Sequence, residues 1–177
     1  SGAVGNYADV DPFVEKRVAE RLGLNQSTIA TQVLSRDRHI GYMNSLVMIS
    51  SLLEKIAMEV RHLARTEIGE VSEAFSTNQK GSSAMPHKKN PIASENICGC
   101  ARLMKAYIGV TYDDNPLWDE RDIIHSSAER VALSDATTLI DYMLNRYAHT
   151  LSTLQVNEER MLENLSLIHI SEPTRRR

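Results

Sequence analysis

The residues best suited to chemistry sit in two polar stretches. The first is GSSAMPHKKNP, residues 81–91. It offers a hydroxyl pair, Ser82 and Ser83, a cation, Lys88, and a carboxamide, Asn90. Gly81 lets the backbone approach a ligand closely or form an anion-holding nest of amides. Taken alone, a solvated linker between helices would carry the same residues. The second stretch is PLWDERDIIHSSAER, residues 116–130. Ser126 and Glu129 have the S-x-x-E spacing of a capping box, which predicts a helix start at Ser126. A helix N-terminus attracts phosphate. Arg130 lies one turn beyond Ser126, and Arg121 precedes it on the loop. Two guanidiniums and a hydroxyl converging on a helix start make a phosphate clamp. Capping explains Ser126 and Glu129 but leaves both arginines unexplained.

Helices must position these loops. Asp11 and Pro12 suit a helix start, and Phe13, Val14, Val18 and Leu22 follow at helical spacing. From about residue 31 to 65 there is no proline and one glycine, Gly41. Leu46, Ile49, Leu53, Ile56, Val60 and Leu63 alternate by threes and fours, a heptad-like seam. About 30 residues of helix span about 45 Å. A helix that long buries its seam only against other long helices, in its own chain or in neighbours. After the breaks at Gly69, Gly81, Pro86 and Pro91, a helix is predicted from Ile92 to about Thr111. Another is predicted over roughly 127–154, with Leu133, Ala136, Ile140, Met143, Tyr147, Leu151 and Leu154 as its seam. No run alternates with period two long enough to read as a strand. The expected fold class is all-α, a bundle of long helices whose connections carry the polar chemistry.

Composition sets outer limits. The 177 residues can build one domain with a core. A hydrophobic share of 42%, a charged share of 24% and a net charge of -3 fit a soluble globular chain. They argue against nucleic-acid and membrane-surface binding. No apolar run approaches a membrane span, and no secretion signal is visible. Cys98 and Cys100 point to different sides of a helix, so they are expected as free, buried thiols, in keeping with a reducing cytoplasm. No further ligands stand near them, so no metal is expected. His39, His62, His125 and His149 read as surface or interface histidines.

The first loop resembles the GSSxMPxKxNP signature of the fumarase/aspartase superfamily. Its eight fixed positions match in order: Gly81, Ser82, Ser83, Met85, Pro86, Lys88, Asn90 and Pro91. His87 resembles the MPHK version used by adenylosuccinate lyases and carboxymuconate cycloisomerases. Residues 116–130, with SGAVGNYADVDP at the start and STIATQVLSRDRH at 27–39, resemble the adenylosuccinate lyase family. The resemblance covers residues 1–165. The end, SLIHISEPTRRR, abandons the seam and looks like a translated sequencing-adapter tail, so 166–177 is expected not to be native protein.

The resemblance implies a homotetrameric, cofactor-free, all-helical lyase of the cytoplasm that cleaves fumarate from a purine nucleotide. It implies that Ser82 is the base, with Ser83 the alternative, and that Lys88 and Asn90 hold the succinyl carboxylates. Glu95 would pair with a general-acid histidine that precedes residue 1. Its bland alternative is a favourable charge near a helix N-terminus. Gln32 matches a substrate-binding glutamine; otherwise it is a solvent-facing helix residue. The family places its nucleotide phosphate on Arg121, Ser126 and Arg130.

Overall fold

The computed structural model describes residues 2–75, 89–119 and 121–171, with side chains as far as 166. Among them are five α-helices and one two-stranded sheet. The order is α1 (Pro12–Leu22), α2 (Asp37–Leu63), β1 (Val71–Ser72), α3 (Ile92–Asp113), α4 (Ile124–Ser152), β2 (Gln155–Val156) and α5 (Glu158–Ser171). The all-helical expectation holds. The two strands are the exception. They pair antiparallel, Val71 with Val156 and Ser72 with Gln155. Two residues per strand are too few to show alternation in a sequence.

Local chemistry accounts for the helix ends. The Asp11 carboxylate accepts from the Phe13 amide at 2.8 Å, and Pro12 opens α1. Gly23 closes it at φ +65°. There the Gly23 amide reaches Glu20 O and the Leu24 amide reaches Ala19 O, a Schellman stop. Helix α2 begins at Asp37, later than the expected residue 31, because residues 31–36 form a loop. Within that loop the Thr31 hydroxyl accepts from the Val33 amide, a local turn that competes with helix.

The chain divides into two compact units. One comprises Ser1–Ser45 and Lys105–Ala136, the other Leu46–Met104 and Thr137–Arg177. In the first, Asn44 on α2 donates to the Tyr112 hydroxyl on α3 at 3.3 Å, and Tyr107 on α3 donates to Asp135 on α4. In the second, the Arg61 guanidinium on α2 meets Cys98 on α3, and Tyr142 on α4 donates to Asn96 on α3 at 2.9 Å.

The seams are partly those expected. On α4 the buried stripe is Ala132, Ala136, Ile140, Met143, Tyr147 and Thr150. On α2 it is Met43, Leu46, Ser50, Ala57 and Val60, whereas Ile49 and Ile56 face outward. Met48 and Leu52 are exposed beside them, at 64% and 58%. A helix that is apolar on two faces belongs inside a larger body. Helix α1 makes the same point, since none of its residues is buried and Phe13 is 64% exposed. Cys98 and Cys100 are free and buried. Among the described residues no helix is long and apolar enough to cross a membrane.

Candidate active site

Helix α3 starts where the first polar stretch ends, and its start is fixed by a residue far away in sequence. Glu73 follows β1 directly. Its carboxylate accepts from the Ala93 amide at 2.9 Å, the Ser94 amide at 2.8 Å and the Ser94 hydroxyl at 2.7 Å. A carboxylate across two free amides satisfies the orphan donors of a helix N-terminus and suits its dipole. Ser94 is fully buried, and its hydroxyl also meets the Tyr147 hydroxyl at 3.2 Å. Tyr147 is fully buried too, and burial pushes its phenol above the ordinary value. The segment leading into β1 is tied to α5 and to the residue just before it. Arg160 and Asn164 on α5 donate to the Ile68 carbonyl at 3.1 and 3.0 Å. The Asn157 amide reaches Glu70 O at 2.8 Å.

Around this anchor lie two of the expected site residues. Asn90 is half-buried just before α3, and its carbonyl accepts from the Ile92 amide. Glu95 is exposed in the first turn of α3. Ser82, Ser83, His87 and Lys88 lie outside the described residues.

The second polar stretch belongs to the other unit. Helix α4 starts at Ile124 rather than at Ser126, because the Asp122 carboxylate accepts from the Ile124 amide at 2.9 Å. The capping box is therefore not made. Ser126 lies half-buried inside the first turn, and Glu129 turns elsewhere. Arg130 stands one turn after Ser126, so the two share a face of α4. Arg130 and Arg121 are both exposed. A hydroxyl in a helix's first turn, with exposed guanidiniums before and after it, retains the chemistry of a phosphate clamp.

Glu129 joins a polar cluster that the sequence did not reveal. Its carboxylate takes a two-point ion pair from Arg36, with Nε and Nη2 each 3.0 Å from an oxygen. His39 Nδ1 contacts the same carboxylate. Burial works to raise the Glu129 pKa, but Arg36 and His39 outweigh it and hold the carboxyl below its ordinary value. Asp114 is buried nearby and shifted upward, first by burial and then by the Glu129 charge. His125 is buried within the chain at 4% exposure, not at a surface or interface as expected. Among the described residues its Nδ1 has no hydrogen-bond partner.

Gln32 sits on the loop before α2, not on a helix, and is exposed. It lines a groove of about 450 Å³ with Val10, Val14, Val18, Leu22 and Leu34. Gly5 shapes that loop. At φ +76° it packs so closely that a Cβ there would lie 2.3 Å from the Ala30 carbonyl oxygen. Gln32, Arg121, Ser126 and Arg130 thus belong to one unit, and Asn90 and Glu95 to the other.

Sequence reasoning missed Glu73, Arg36 and Glu129 as organising residues. The partners of Glu73 are 20 and 21 residues away, and Arg36 and Glu129 are 93 apart. The only local signal was Glu129 in the S-x-x-E spacing, and it pointed to the wrong partner.

Known proteins resemble this chain in sequence and fold. A family model described as lyase matches residues 1–104 of the 177. Adenylosuccinate lyase from Bacillus subtilis is 53% identical over 165 residues, 93% of this chain and 38% of that protein. Adenylosuccinate lyase from Staphylococcus saprophyticus is 52% identical over 165 residues, with the same two shares. The chain therefore spans 38% of the length of these two relatives. Among solved structures, a fumarate lyase from Mesorhizobium sp. BNC1 is similar at TM-score 0.78 and 27% identity, over 93% of this chain and 36% of that one. A 3-carboxy-cis,cis-muconate lactonizing enzyme from Pseudomonas putida is similar at TM-score 0.76 and 28% identity, over 88% and 35%. With well over half its residues matched by the family model, the chain belongs to the lyase family.

Proposed function

We propose that this chain is the central part of an adenylosuccinate lyase. The full-length enzyme eliminates fumarate from adenylosuccinate to give AMP, and from SAICAR to give AICAR, in purine nucleotide biosynthesis. The observation that carries the reading is the 53% identity to an adenylosuccinate lyase over 93% of the chain. Solved cycloisomerase-type relatives share the helices at only 26–28% identity. The clamp of Arg121, Ser126 and Arg130 supports the same choice. It fits a nucleotide phosphate, and carboxymuconate has none.

The reaction breaks a C–N bond by β-elimination. A base takes a proton from the carbon beside a succinyl carboxylate, and extra negative charge builds on that carboxylate. An acid protonates the departing nitrogen as the bond breaks. Ser82 is the proposed base, with Ser83 the alternative. A serine hydroxyl is a weak base unless desolvated and held by donors. Lys88 is the proposed donor to it, and with Asn90 it holds the carboxylates and their developing charge. Glu95 orients the general-acid histidine. Gln32 binds the substrate, and Arg121, Ser126 and Arg130 bind the phosphate. No cofactor takes part.

The exposed apolar residues of α1 and of the outer face of α2 (Phe13, Met48, Ile49, Leu52 and Ile56) support a homotetramer in which copies of the enzyme cover them. The acidic net charge fits a small-molecule enzyme of the cytoplasm with no nucleic-acid or membrane partner. Residues 166–177 are proposed not to be native protein.

An arginine-directed reagent tests the phosphate subsite in the full-length lyase carrying this chain. AMP is expected to protect Arg121 and Arg130 from modification. Equal modification with and without AMP would contradict the nucleotide reading.

A further inference from the structure

We infer that Arg36 and Glu129 are a positioning pair for nucleotide binding: together they tie the Gln32 loop to the helix turn that carries Ser126 and Arg130. The inference rests on the proposed function above and concerns residues that touch no substrate.

Arg36 has two attachments. Its Nη1 donates to the Leu34 carbonyl at 2.9 Å, which fixes the end of the loop that carries Gln32. Its Nε and Nη2 each lie 3.0 Å from a Glu129 oxygen. Nη2 makes the hydrogen bond, and Nε adds a second close charge contact without hydrogen-bond geometry, so the pair meets at two points. Glu129 is flanked by Arg130 in sequence and has Ser126 one turn before it on α4. A shift of the Glu129 backbone therefore moves both proposed phosphate ligands. The side chains of Arg36 and Glu129 are 12% and 17% exposed, so the pair is largely withdrawn from water.

Stability alone is a poor reason for such a pair. Taking both charges out of water offsets much of their attraction, and well-packed apolar residues often serve as well. What an apolar replacement lacks is a fixed direction. His39 Nδ1 contacts the same carboxylate. Asp114 and His125, both buried, complete the polar surroundings. The arrangement resembles an outer layer of groups that orients the residues touching the ligand.

The test uses the full-length lyase with AMP as the binding probe and adenylosuccinate as substrate. Arg36→Lys keeps the charge and loses the fork. It is expected to weaken AMP binding and raise KM by about tenfold, the scale of loss when an orienting group is removed, while kcat changes far less. Glu129→Asp keeps both charges and draws the carboxylate back; it carries the same expectation should Arg36→Lys not fold. The exchanged pair Arg36→Glu with Glu129→Arg is expected to bind AMP more tightly than either of its single variants. A lower Tm with unchanged KM and AMP affinity would make the pair merely structural and overturn the inference alone. A wild-type enzyme that does not bind AMP would overturn the nucleotide reading and this inference with it.

Discussion

The Glu73 carboxylate accepts both the amide and the hydroxyl of Ser94, at 2.8 and 2.7 Å. One side chain thus ties the residue after β1 to the first turn of α3. That turn carries Glu95 and follows Asn90. Removing the cap strips two free amides of their acceptor and leaves the buried Ser94 hydroxyl with Tyr147 as its remaining partner. Glu73→Ala is expected to cost about 1–2 kcal/mol, the upper range for an N-terminal cap. Denaturant unfolding of the full-length lyase checks this. Glu73→Asp should recover part of the loss.

Two glycines with the same backbone sign should behave differently. Gly5 and Gly23 both have positive φ, +76° and +65°. A side chain at either strains the backbone by about 1–3 kcal/mol. At Gly23 nothing lies within 4 Å of an added Cβ. At Gly5 the Cβ would meet Ala30 O at 2.3 Å and Thr31 Cα at 2.8 Å, beside Gln32. Gly5→Ala is therefore expected to raise KM for adenylosuccinate as well as lower Tm. Gly23→Ala is expected to lower Tm alone. Steady-state kinetics beside thermal melts separate the two.

Asp114 gives a pH-dependent prediction. Its pKa lies above the ordinary value, raised by burial and then by Glu129 and Asp113, against the pull of His125 and Arg36. A carboxyl with a raised folded pKa stabilises the fold while protonated and loses that contribution as pH rises through the folded value. Above that folded value, ionised Asp114 is therefore destabilising. Asp114→Asn should melt above wild type at pH 7, and the gap should shrink as pH falls towards about 3.9, the ordinary aspartate value. A gap that stays constant with pH would refute the assignment.

The helices were legible in the sequence where one face alternates by threes and fours. The seam of α4 through Ala136, Ile140, Met143 and Tyr147 lies where the spacing puts it. Helix α2 was harder because apolar residues sit on two of its faces. Ile49 and Ile56 fit the heptad count as well as Met43 and Ala57 do. Spacing cannot tell a face buried within the chain from one left for a partner. Helix α5 went unread because its second half falls in the stretch expected not to be native protein, although Met161, Leu162, Leu165 and Ile168 stand at helical spacing; Arg160 and Asn164 also tie it to backbone carbonyls. The chemistry of the two polar stretches was legible from residue type. Their supports were not. The pairs Glu73–Ser94 and Arg36–Glu129 join residues far apart in sequence, and only the fold brings them together.

Ser82 bears the proposed chemistry, and its hydroxyl is the group to remove. In the full-length lyase, Ser82→Ala is expected to abolish turnover while size-exclusion chromatography shows the same oligomer as wild type. Near-normal turnover would transfer the role of base to Ser83 or elsewhere.

The most direct measurement is the release of fumarate from adenylosuccinate, followed by absorbance, with the full-length lyase and the 177-residue chain assayed side by side. The full-length enzyme is expected to turn over adenylosuccinate and SAICAR and to leave carboxymuconate untouched. The chain alone is expected to be inactive, because it spans 38% of the length of the relatives it matches. A full-length enzyme that acts on carboxymuconate and not on adenylosuccinate would contradict the account, as would cleavage of adenylosuccinate by the chain alone.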